Sequence, residues 1–132
     1  MRLISVYEVP GSIGILYDLL AEREPWQSIS HKEMPTVNQH AAFLESMPYM
    51  GWWLIDIGEF FAGACYITKQ REIGVHIFSS CRGCGYGSAA VREVMQRFPG
   101  RVLANISPQN SESEAMFERL GFSHIQNTYA HE

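Results

Sequence analysis

The stretch Cys81-Arg82-Gly83-Cys84-Gly85-Tyr86-Gly87-Ser88 decides the fold. Three alternate glycines let the backbone turn sharply and approach a ligand closely. Upstream, residues 73–78 form a strand-like apolar run. Downstream, Val91, Val94, Met95 and Phe98 recur at i, i+3, i+4 and i+7, one face of a helix over residues 87–98 that Pro99-Gly100 stops. A loop opening onto a helix N-terminus offers free N–H groups and the positive end of the helix dipole, which suits a pyrophosphate.

Working outward, residues 52–57, 60–68 and 73–78 are rich in aromatic and branched side chains and are separated by short polar turns, Gly58-Glu59 and Lys69-Gln70-Arg71. They predict an antiparallel meander. Trp52 and Trp53 cover its opposite faces. Before it lie a predicted strand at 3–9, a helix at 12–23 capped by Ser12, a loop at 24–35 and a helix at 37–47. After the glycine loop and its helix come a strand at 102–107 and a helix opened by a capping box, Ser111 with Glu114, and closed by Gly121. A last strand is predicted at 122–129.

Three anion loops compete at residues 81–88. A P-loop needs a Gly-Lys-Ser/Thr ending, and no such lysine is present. A dinucleotide fingerprint is partly matched by Gly85, Gly87 and Ala90. It requires an acidic residue after the next strand, and residues 102–107 end without one. The third is a coenzyme A loop. Arg82, Gly85 and Gly87 match the Arg/Gln-x-x-Gly-x-Gly/Ala signature of the GNAT superfamily of acyl-CoA-dependent N-acyltransferases. A second segment, with Asn110, Ser113, Phe117 and then Leu120-Gly121-Phe122, resembles the other signature of that superfamily. The order of elements is also similar across almost the whole chain.

The resemblance implies an α/β (α+β) fold: a mixed, mostly antiparallel sheet flanked by four helices and split beside the strand before the glycine loop. Residues 1–132 form one domain. Only ten residues follow Phe122, so the last strand of the family is missing or comes from a partner chain in a homodimer. The implied activity is transfer of an acetyl group from acetyl-CoA to a primary amine, on a small molecule or a peptide, by direct attack and without a metal. Catalytically degenerate coenzyme binding, as a sensor or interaction module, is the alternative.

Residue by residue, the resemblance assigns Ile77, Phe78 and Ser79 to the pantetheine arm. It assigns backbone groups of Arg82, Gly83, Cys84, Gly85, Tyr86, Gly87 and Ser88 to the pyrophosphate. Asn110 and Phe117 complete the coenzyme contacts. A backbone N–H near Ile77 suits the oxyanion. For the base, Glu72 stands where several branches of the family carry a carboxylate. His76 lies four residues on, facing the same way on an unbroken strand, and titrates in a useful range. Many members place a tyrosine acid at the position of Phe117, which has no proton to give. Ser113 is therefore the expected acid, with Tyr129 in reserve. The segment 26–35, with His31, Lys32 and Glu33, corresponds to the usual substrate mouth.

Composition excludes other classes. A net charge of -4 argues against broad nucleic-acid binding. No apolar run approaches the ~20 residues of a membrane span. Three cysteines do not make a disulfide framework, and Cys81-x-x-Cys84 lacks a second ligand pair for zinc. The expected location is cytoplasmic.

Overall fold

The computed structural model describes residues 1–23 and 33–132. Most of the predicted 24–35 loop, including His31 and Lys32, lies outside them. The described elements are β1 (Arg2–Ser5), α1 (Ser12–Ala21), α2 (Val37–Glu45), β2 (Tyr49–Asp56), β3 (Phe61–Thr68), β4 (Ile73–Ile77), α3 (Tyr86–Arg97) and α4 (Ser111–Arg119). Strands β1 to β4 form one sheet in chain order, each pair antiparallel, with Leu3 opposite Ile55, Leu54 opposite Ala64 and Tyr66 opposite Gly74. One parallel bridge, Glu72 to Leu103, makes the sheet mixed. This is the expected α+β architecture.

Period-two alternation divides the core. Trp53, Ile55, Cys65, Ile67 and Ile73 pack with Ala90, Val91 and Val94 of α3 and Phe117 of α4. Trp52, Leu54 and Ala64 pack on the other face with Leu16 and Leu19 of α1. Leu54, Ile55 and Ile67 are fully buried, and each contributes about 1.5–3 kcal/mol through apolar burial. Gly74 has a packing reason: a Cβ there would fall inside the Tyr66 ring, which lies across it.

Several boundaries differ from the sequence reading. The first strand ends at Ser5 because the Ser5 hydroxyl accepts the Tyr7 N–H at 3.3 Å and starts a 3-10 turn, Val6–Glu8. The cap of α1 is Gly11, at φ 77°, and Ser12 is the buried first helical residue. Helix α2 has a reciprocal capping box between Thr36 and Gln39 that the reading missed. The box expected at Ser111 is replaced by Asn110, whose Oδ1 accepts the Ser113 N–H at 3.2 Å.

Two predicted strands do not form. Residues 102–107 contract to the single bridge at Leu103, after which the chain leaves the sheet. Residues 122–129 then have no neighbouring ladder to join. Polar groups there bond locally, as in His124 Nε2 to the Gln126 carbonyl at 2.6 Å.

Candidate active site

The site begins where the sheet opens. Ile73 N–H donates to the Leu103 carbonyl at 2.7 Å, and Leu103 N–H donates to the Arg71 carbonyl at 2.9 Å. On the opposite side, Thr68 N–H donates to the Glu72 carbonyl and Phe78 N–H to the Ala62 carbonyl, each at 2.9 Å. Successive residues of a strand alternate their hydrogen-bonding direction. The N–H groups of Val75 and Ile77 therefore point into the gap beyond Leu103, where no described backbone group meets them. Phe78 and Ser79 were expected to share this role, and their N–H groups are engaged elsewhere. Phe78 is in the β3 ladder, and Ser79 N–H donates to Glu22 Oε1 at 2.8 Å. Val75 is the donor the sequence reading missed, because a strand's alternation phase is set by its partner.

A 3-10 turn, Ser79–Cys81, leads into the glycine loop. Arg82 N–H donates weakly to the Ser79 carbonyl at 3.4 Å, so the free run starts one residue later than expected. From Gly83 through Cys84, Gly85, Tyr86 and Gly87 to Ser88, no backbone N–H donates to another described group. Gly83 and Gly85 adopt φ of 81° and 80°, a left-handed conformation that side chains resist, and their Cα positions face open space. Gly87 instead faces Met116 Sδ and Ile77, so α3 starts close against β4 and α4. Six consecutive donors at the start of α3 form a concave anion cradle.

Helix α4 closes the far side. Asn110 caps it with Oδ1, leaving Nδ2 for a ligand. Ser113 and Phe117 line the same cavity. Phe117 is only 4% exposed, edge-on to Phe122 at 5.0 Å. Tyr129 is 89% exposed and outside the cavity, so it is not brought to the site.

The cavity, about 1000 Å³, runs from this loop past the β4 edge to the α1/α2 face of the sheet. There Glu72, Gly74 and His76 share one face of β4, as the i, i+4 spacing predicted. The Glu72 carboxylate is fixed at both oxygens: Thr68 Oγ1 donates to Oε1 at 3.3 Å and Asn105 Nδ2 donates to Oε2. Asn105 comes from the failed strand, so no sequence pattern signalled it. Burial and the nearby Arg23 charge push the His76 imidazole down to about 3. Tyr49 and Tyr66 stack at 4.3 Å, and burial pushes both phenols up, Tyr49 beyond the usual range. Among the described residues, no three metal-ligating side chains converge.

The fold has known counterparts. A family model described as "Acetyltransferase (GNAT) domain" matches residues 14–123. The chain belongs to the GNAT acetyltransferase family. Similar solved structures include a ribosomal-protein-alanine N-acetyltransferase from Brucella melitensis, with TM-score 0.70 and 18% identity over 95% of this chain and 85% of that one. A putative acetyltransferase from Salmonella typhimurium, solved with acetyl-CoA, has TM-score 0.68 and 17% identity over 92% and 78%. A chimeric spermidine N-acetyltransferase from Vibrio cholerae has TM-score 0.69 and 13% identity over 95% and 82%. At these identities the likeness is one of fold. No curated protein matches the sequence. No helix among the described residues is long and apolar enough to cross a membrane.

Proposed function

We propose that this GNAT protein, acting as one domain over residues 1–132 in the cytoplasm, transfers an acetyl group from acetyl-CoA to a primary amine by direct attack. The observation that carries this is continuity: the N–H groups of Gly83 and of residues 85–88, unpaired among the described residues, the free edge of Val75 and Ile77, and a fixed Glu72 carboxylate line one cavity. The donor set fits the coenzyme. The cradle matches a pyrophosphate, the strand edge matches the amides of a pantetheine arm, and Asn110 Nδ2 and Phe117 flank the path.

Acetyl-CoA supplies an activated acyl group: the amine nitrogen bonds to its carbonyl carbon as the carbon–sulfur bond breaks and the thiolate leaves. In this reading a free N–H of the β4 edge, Val75 or Ile77, stabilises negative charge growing on the carbonyl oxygen. Glu72 takes the proton that the amine loses. His76 is a poor base at neutral pH, because its conjugate acid is too strong to hold that proton. The Ser113 hydroxyl, with no partner among the described residues, protonates the leaving sulfur as its own oxygen takes a proton back from solvent.

Calorimetry is expected to give saturable acetyl-CoA binding, and its absence in folded protein overturns the reading. Glu72→Gln is expected to lower kcat about 10²–10³-fold without weakening the coenzyme. Phe117 favours a second reading, coenzyme binding without catalysis, because it removes the usual acid. Saturable acetyl-CoA binding with no thiol release above background across an amine panel, in the wild type as in Glu72→Gln and Ser113→Ala, would select it. A homodimer belongs to the same proposal, since β1 carries an unpaired outer edge among the described strands. Light scattering that gives a monomer at working concentration removes that part.

A further inference from the structure

The acceptor half of the cavity holds a charge that the mechanism does not use. Arg23 follows α1 and lines the cavity beside Tyr49, Tyr66 and His76. Its Nε is buried and has no hydrogen-bond partner among the described residues. The ion pairs among those residues are Arg2–Asp56 and Arg97–Glu93, so none includes Arg23. Of the described carboxylates that line the cavity with Arg23, Glu22 accepts the Ser79 N–H, Glu72 is held by Thr68 and Asn105, and Glu112 makes no ion pair with it. Burial disfavours the charged guanidinium, yet arginine does not lose its proton in proteins. A partly buried cation with no counterion among the described residues is stabilised when a ligand supplies the anion. Guanidinium geometry matches a carboxylate in particular.

We propose that the acceptor carries its own carboxylate beside the amine, as an amino acid does, and that Arg23 binds this carboxylate while the amine faces Glu72. The proposal rests on the acetyl-transfer reading and names its substrate class. The same positive charge repels a polyamine, so this chain differs in acceptor from the spermidine enzyme whose fold it shares. It also disfavours the ammonium form of the bound amine, which helps produce the nucleophile.

The test measures initial rates with acetyl-CoA for matched pairs: α-amino acids against their carboxamides, ω-amino acids against the corresponding alkylamines, with spermidine alongside. At least one acid should exceed its uncharged partner tenfold or more in kcat/KM, with spermidine the poorest acceptor. Arg23→Met should reduce that ratio to about one by raising the acceptor KM, with the acetyl-CoA KM unchanged, and Arg23→Lys should keep part of it. Without acceptor, Arg23→Met should melt at or above the wild-type temperature. A preference for uncharged amines or spermidine overturns the proposal. So does an Arg23→Met effect confined to acetyl-CoA, which would assign the anion to a coenzyme phosphate. If no amine is acetylated while acetyl-CoA binds, the transfer reading fails separately. Calorimetry of acids and amides on coenzyme-loaded protein then decides the carboxylate site: equal or absent binding overturns it, and a tenfold preference for acids sustains it.

Discussion

Asn110 carries two duties on one side chain. Oδ1 caps α4, the residue lines the cavity, and Nδ2 is left to donate. The coenzyme contact was the expectation from sequence and the cap is what the structure adds; the two are compatible because an amide has separate acceptor and donor ends. Asn110→Ala should cost about 1 kcal/mol of stability. Asn110→Asp should keep the cap but raise the acetyl-CoA KM, since it replaces a donor with a negative charge near the phosphates. Thermal melts and coenzyme titrations of the pair separate the two duties. His76 gives a pH prediction. Its folded pKa, about 3, lies below the ordinary value of 6.5. Above pH 6.5 both folded and unfolded states are neutral and His76 contributes nothing. Below it the unfolded chain binds a proton that the folded one refuses, so stability falls as pH drops from 6.5 toward 3, at a limiting slope of ~1.4 kcal/mol per pH unit. His76→Gln should flatten that acid limb, read from urea midpoints at pH 7 and pH 5.

Elements were legible where periodicity was strong and obscure where tertiary partners decide. The meander and α3 announced themselves through branched residues and the Val91, Val94, Phe98 stripe. The strand at 102–107 did not survive because only Leu103 finds backbone partners, and Asn105 turns to Glu72 instead. What anchors that region is Arg71, which the sequence offered only as a polar turn residue. It sits at φ 65°, and its guanidinium donates to the carbonyls of Phe98, Pro99 and Arg101 at 2.7–2.9 Å. One side chain thus ties the end of α3 to the start of β4, next to Glu72. Arg71→Ala should cost about 2 kcal/mol through three lost bonds, two of them exposed. It should also lower kcat by loosening the Glu72–Leu103 bridge. Chemical denaturation and steady-state kinetics of one variant check both.

Across the whole molecule, the glycine loop with its free donors could be read from glycines and spacing, whereas the Arg23 end of the cavity could not. Arg23 drew no attention in the sequence because an arginine just past a helix is ordinary, and only folding sets it among Tyr49, Tyr66 and His76. Its neighbour has a larger consequence. Glu22 holds the Ser79 N–H ahead of the glycine loop, while Arg23, the next residue, lines the end of the cavity proposed above for the acceptor. A single peptide unit therefore spans both compartments. Filling one should change the other's affinity, and thermodynamic reciprocity requires the same factor in each direction. Calorimetric titrations in both orders should return one coupling constant, about 5- to 10-fold, that Glu22→Ala brings toward unity. Each ligand would then hold the other in place by the same factor, whichever arrives first.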